Sequence, residues 1–184
     1  LIMFKKICFY ILLIFSFTSC FEVVEDVSFK KDGSGFFKLI VNLSQSKNEM
    51  KSLMKLDSSS GYKVPNENEM NAYLDQALIN LKTTEGLSNV SIKRDFNNWI
   101  FELNTNFNNT KSLERGLQNM KNEFSEGKAN IFINKLTFDG KILEREIQIS
   151  DEETREQLNK ATEKRILSKA KYTTIYRFES TIEN

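Results

Sequence analysis

Apolar residues recur along this chain at two spacings, and the changes from one to the other fall at glycine, asparagine or serine. Val23, Val27 and Phe29 lie at even intervals, and beyond Asp32-Gly33-Ser34-Gly35 the same rhythm resumes at Phe37, Leu39, Val41 and Leu43. A period of two puts those side chains on one face of a strand, so the stretch predicts an antiparallel hairpin. Val90 and Ile92 lead to Asn97-Asn98, then Trp99, Phe101, Leu103 and Phe107. That predicts a second hairpin, because asparagine tolerates the positive φ of a tight turn. Asp139-Gly140 predicts a third, with Ile131 and Ile133 or their neighbours before it and Ile147 and Ile149 after it.

Between hairpins the spacing lengthens to that of a helix. Ser46 with Glu49 has the pattern of a capping box ahead of Met50, Leu53 and Met54. A second helix is predicted from near Asn66, with Met70, Leu74, Ala77, Leu78 and Leu81 on one face and Gly86 ending the turn after it. Leu113, Leu117, Met120 and Phe124 stripe a third, with Gly127 just beyond its end. Ser150 and Glu153 box the start of a fourth, which contains Leu158 and Ala161. Tyr172 to Phe178 reads as a final strand. Hairpins need no crossover connection. The expected fold is therefore α+β: a largely antiparallel sheet built from three β-hairpins, with helices packed on one face.

The N-terminus has a different character. Lys5 and Lys6 precede an apolar run from Ile7 to Phe17 in which Ser16 is the only polar residue. Eleven residues cannot span a bilayer, which takes about 20, but they suit the apolar region of an export signal. The run closes on Phe17-Thr18-Ser19-Cys20, small residues before a cysteine, as lipoprotein signal peptidase requires, with Phe17 where leucine is usual. Residues 1–19 are expected to be a signal peptide cut between Ser19 and Cys20, leaving Cys20 to carry the lipid. Residues 20–184 then form one domain. Met3 is the expected initiator, and the chain is expected to run on past Asn184. The membrane is thus the first expected partner, since two or three acyl chains anchor stably. Phe21, not aspartate, follows the cysteine, which favours the outer membrane over the inner.

Composition narrows the chemistry. Cys8 leaves with the signal and Cys20 is acylated, so the mature chain has no thiol for catalysis, disulfides or zinc. There is no histidine, hence no imidazole base, no Ser-His-Asp triad and no histidine metal ligand. Gly33 and Gly35 lie in a hairpin with no helix after it, so they make no phosphate loop. Asp32-Gly33-Ser34-Gly35 also lacks the spaced oxygen donors of a calcium loop. No cofactor, metal or catalytic residue is expected. The whole chain has 26 basic and 25 acidic residues; without Lys5 and Lys6 there are 24 basic ones and a net charge of −1. That balance gives nucleic acid no foothold.

Carboxylates remain, because glycosidase-like chemistry needs only two. Glu22, Glu25 and Asp26 are read as solvating the stretch beside the bilayer, and Asp151, Glu152 and Glu153 as first-turn acids that favour a helix dipole. Among the aromatics, Trp99 is the sole tryptophan, and Tyr172, Tyr176 and Phe178 share a strand face. They are read as core pairs in preference to a pocket lining.

Cys20-Phe21-Glu22, the segment from Phe29 through Asp32-Gly33-Ser34-Gly35, and Leu39-Ile40-Val41-Asn42-Leu43-Ser44 resemble the opening of uncharacterised Bacteroidetes lipoproteins. In those, a hairpin of the same turn sequence follows the lipidated cysteine. Tyr172 to Phe178 is similar to their C-terminal strand. More distantly, the order of elements resembles the LppM-type lipoprotein domain, an α+β module for which lipid-related binding has been suggested. The resemblance implies lipid attachment at Cys20 and carries over no catalytic residue. The expected function is that of an envelope lipoprotein acting as a non-enzymatic binding module for a lipid, a glycan or a protein. The alternative is a carboxylate-dependent hydrolase of envelope polymers, which acids gathered in one deep pocket with raised pKa values would mark.

Overall fold

The computed structural model describes residues 21–56, 58–59, 62–125, 135–146 and 170–181. Strands β1 (Phe21–Phe29) and β2 (Gly35–Asn42) form the first predicted hairpin, in register from Glu22 opposite Asn42 to Phe29 opposite Gly35. After β2 come a 3-10 turn at Ser44–Ser46, helix α1 (Lys47–Leu53) and the two-residue strands β3 (Ser58–Ser59) and β4 (Tyr62–Lys63). Helix α2 (Glu67–Thr83), strands β5 (Leu87–Asp95) and β6 (Ile100–Phe107), and helix α3 (Thr110–Ser125) follow. The last described elements are β7 (Lys135–Phe138), β8 (Leu143–Glu146) and β9 (Ala170–Phe178).

The main sheet runs β5-β6-β2-β1-β9. Among the described strands of this sheet only β1 and β9 are parallel; the other neighbours are antiparallel. The fold is α+β with a largely antiparallel sheet, as expected. Val27 and Phe29 of β1, with Phe37, Leu103 and Phe107, put one face of the sheet into a core completed by Leu81 of α2, Leu113 of α3 and Leu136 of β7. Each such burial removes enough apolar surface to stabilise by about 1.5–3 kcal/mol. Leu117 and Met120 of the predicted α3 stripe pack against the same cluster. No helix among the described residues is long and apolar enough to cross a membrane.

The third hairpin turns where Asp139-Gly140 puts it. Gly140 takes φ +93°, and the Asp139 carboxylate accepts from the backbone N–H of Lys141 and Ile142 at 2.9 and 2.8 Å. Among the described residues, however, β7 and β8 form a two-stranded sheet of their own, and the place beside β1 goes to β9. Ile131, Ile133, Ile147 and Ile149 lie outside the described residues, as do Gly127, Ser150, Glu153, Leu158 and Ala161.

Two local expectations give way to other arrangements. In the turn of the second hairpin the positive φ falls on Trp99 (+58°), not on Asn97 or Asn98. Asp95 organises that turn, accepting from the Asn98 backbone at 2.9 Å and from its side-chain amide at 2.8 Å. The Ser46–Glu49 capping box does not form. Ser46 ends the 3-10 turn at φ −105° and ψ 18°, whereas a capping residue needs extended backbone to aim its oxygen at the first free N–H groups. Asn66, at φ −74° and ψ 174°, has that backbone, and it exchanges 3.0 Å bonds with Glu69 in a complete capping box for α2.

Candidate functional site

Strand alternation sends Glu25 inward between Val23 and Val27, where it is 1% exposed. A lone carboxylate there would lose its hydration with nothing in return. Arg145 of β8 supplies the compensation in a two-pronged pair, Nη1 to Oε1 at 2.9 Å and Nη2 to Oε2 at 3.1 Å. The parallel register places Tyr172, Thr174 and Tyr176 of β9 opposite Val23, Glu25 and Val27. From there the Tyr172 hydroxyl donates to Glu25 Oε2. Arg145 Nη1 donates to Tyr176 Oη at 2.6 Å and Thr174 Oγ1 at 3.3 Å, and its guanidinium stands 6.0 Å from the Tyr176 ring centre. The cluster joins the small sheet to the large one. Leu136 adds a second tie, its N–H donating to Glu114 of α3.

The electrostatics make this an anchor point and a poor acid or base. Burial opposes the charge on Arg145, but bonds to Tyr176 and Tyr172 and the charge of Glu25 outweigh it, and the guanidinium pKa rises. Burial and the bond to Glu25 push Tyr172 up to about 12, so it remains a protonated donor. Its ring is half exposed while its hydroxyl turns into the cluster. Both oxygens of Glu25 are taken.

The three acids after Cys20 therefore do something other than solvate the chain. Glu25 faces the core. Glu22 and Asp26 face the other side of the sheet, paired with Lys171 at 3.3 Å and Arg177 at 3.0 Å on the neighbouring strand. Alternation thus puts Glu25 on one face and Glu22 and Asp26 on the other, where four residues of strand hold the latter two about 13 Å apart. Asp151, Glu152 and Glu153 lie outside the described residues. Elsewhere carboxylates are held below their ordinary range by hydrogen bonds: Asp32 by Ser34, Asp95 by Asn98, Glu102 by Asn104, and Asp139 by the Ile142 N–H. Among the described residues, no group of three or more cysteine, aspartate or glutamate side chains is placed to hold a metal. The turn at Asp32 is closed by its own residues, with the carboxylate accepting from the Ser34 N–H at 3.0 Å and hydroxyl at 2.7 Å.

Sequence reading missed Arg145 and the role of Glu25. The signal was present: an acid at an inward position of an otherwise apolar strand face calls for a buried cation. Of the aromatics, Phe178 stacks on Phe29 at 5.5 Å, and Trp99 is buried edge-on to Phe96 and Phe101 at 6.1 and 6.3 Å, so both belong to the core.

A second feature is apolar. Between the core face of the sheet and helices α2 and α3 lies a cavity of about 250 Å³. Leu39, Val41 and Leu43, with Ile92, Phe101 and Leu103, line its sheet side; Met70, Leu74 and Met120 line its helix side. Glu102 borders it but commits its carboxylate to Lys93 at 3.0 Å and Asn104 at 2.7 Å. Two larger depressions, of about 470 and 500 Å³, have mixed linings that include Lys30, Arg177 and Glu179 in one and Lys111, Asp139 and Glu144 in the other. In comparisons with known proteins, no protein-family model, no curated protein and no solved structure matches the chain.

Proposed function

We propose that this chain is a cell-envelope lipoprotein, held by lipid on Cys20 after residues 1–19 are removed, whose domain acts by binding and turns over no substrate. The observation that carries the reading is the cavity between sheet and helices, walled by aliphatic, methionine and phenylalanine side chains. Such a wall selects an apolar guest by surface removed from water. A glycan would ask for polar groups turned inward, so among lipid, glycan and protein ligands the lipid is favoured. The saturation of Glu25 and the separation of Glu22 from Asp26 support binding over carboxylate-dependent hydrolysis. The membrane is the partner through the anchor, the outer membrane before the inner, and nucleic acid is none.

Attachment is tested by labelling cells with palmitate. The parent should carry label, whereas the Cys20→Ser variant should stay unlabelled and keep its signal; label on that variant would sink the anchor assignment. Turnover is tested by offering the lipidated protein peptidoglycan, glycan, lipid-ester and peptide panels beside Glu22→Gln, Glu25→Gln, Asp151→Asn and Glu153→Gln variants. Saturable capture without product is expected. Product formation abolished by one of those substitutions would overturn the binding role.

A further inference from the structure

The cavity is not central in the sheet. On β2 it is lined by Leu39 and Val41, with Leu43 just beyond, and Val41 is paired with Val23, two residues into β1. On β6 it takes Phe101 and Leu103, near the strand's beginning, where Ile100 pairs with Asn42. The far end of the same face is filled by Phe29, Phe107, Phe138 and Phe178, packed ring on ring. Among the described residues the space thus lies at the end of the sheet where β1 starts, and Cys20 directly precedes Phe21, the first residue of β1.

We infer that this cavity takes the end of one acyl chain from a lipid of the membrane to which Cys20 tethers the domain. The inference rests on lipid attachment at Cys20 and on the binding role proposed above. Three observations converge on it. The walls are apolar, so they favour hydrocarbon and leave a headgroup outside. The size fits: a dry apolar cavity of about 150 Å³ holds benzene, so 250 Å³ suits roughly ten carbons, the terminal part of a chain. Met70 and Met120, unbranched and polarizable, line the helix side and adapt to a flexible guest. The tether keeps this end of the sheet beside a bilayer, which offers such chains at high local concentration.

The test uses Trp99, the only tryptophan, whose ring meets Phe101 at the cavity wall and whose carbonyl accepts from the Leu43 N–H at 2.8 Å. The mature lipidated protein is placed in phosphatidylcholine vesicles whose acyl chains carry bromine, a short-range quencher, either near the headgroup or near the chain end. If a chain end enters the cavity, bromines at the chain end should remove most of the Trp99 emission, and bromines near the headgroup much less. Mere proximity to the bilayer surface gives the reverse order, because chain-end bromines then lie deepest. Val41→Phe, which fills the space, should restore the emission at unchanged anchoring. The order by bromine position needs no variant, so a misfolded Val41→Phe would leave the test intact. Equal or reversed quenching in palmitate-labelled protein overturns the acyl-chain assignment while leaving the anchored binding module standing. Failure of the protein to label or to join vesicles overturns both.

Discussion

Arg145→Met should destabilise the domain by about 3–5 kcal/mol, because it strips the cation from a carboxylate that is 1% exposed. Nothing else in the cluster replaces that charge. Tyr172 offers a hydroxyl, which satisfies a lone pair without neutralising the acid. For a domain of this length the loss corresponds to a fall in melting temperature of roughly 10–15 °C. Glu25→Leu combined with Arg145→Met should recover most of the loss, since a buried ion pair exchanged whole for apolar groups is close to neutral. Recovery should stay incomplete, because the Tyr172 and Tyr176 hydroxyls then lose partners. Urea unfolding of the single and double variants makes the comparison. A single variant as stable as the parent would show that the pair does not hold β8 to the sheet.

Gly35→Val should be at least as damaging, costing about 3 kcal/mol or more. A Cβ at this position would stand 2.0 Å from the Ser28 carbonyl oxygen and 2.6 Å from the Phe107 ring. The ring has some freedom, but the carbonyl belongs to β1, held between β2 and β9, and has none. Pairing Gly35→Ala with Phe107→Leu should therefore fail to rescue stability, although it relieves the ring contact. Far-UV spectra and unfolding midpoints of Gly35→Val, Gly35→Ala and the double variant decide it. A rescued double variant would locate the constraint in the side chain and not the backbone.

Gly35 also shows where sequence reading reached its limit. The motif Asp32-Gly33-Ser34-Gly35 predicted the turn correctly, yet the second glycine is needed for packing against β1 and β6. Hairpins and helix faces were legible because each is encoded within a dozen residues by period and turn chemistry. The partner of β1 was not. Phe21 pairs with Ala170, and nothing local at Tyr172 to Phe178 records which edge that strand joins. Glu25 failed for the same reason. Its neighbours in sequence are an exposed-looking acidic run, while its cation arrives from residue 145 and its hydroxyl from residue 172. Ser46 failed differently, since the residue pattern of a cap was present but the preceding turn set the wrong backbone. The cavity had no local signature, because every lining residue is an ordinary member of its own strand or helix stripe.

The parallel ladder between β1 and β9 also sets an order of events in time. A chain made from its N-terminus meets β2 within a few residues of β1, and β5 then finds β6 across a four-residue turn. Both hairpins close fast, because short loops cost little entropy. The edge of β1 that will receive β9 has to wait until Ala170 and the residues after it are made, and with it Glu25 waits for both Tyr172 and Arg145. Contacts of such separation slow the last step of folding. Through that interval the nascent molecule carries an open strand edge with an uncompensated acid beside it. That charge disfavours pairing with a neighbouring chain until the correct last strand arrives.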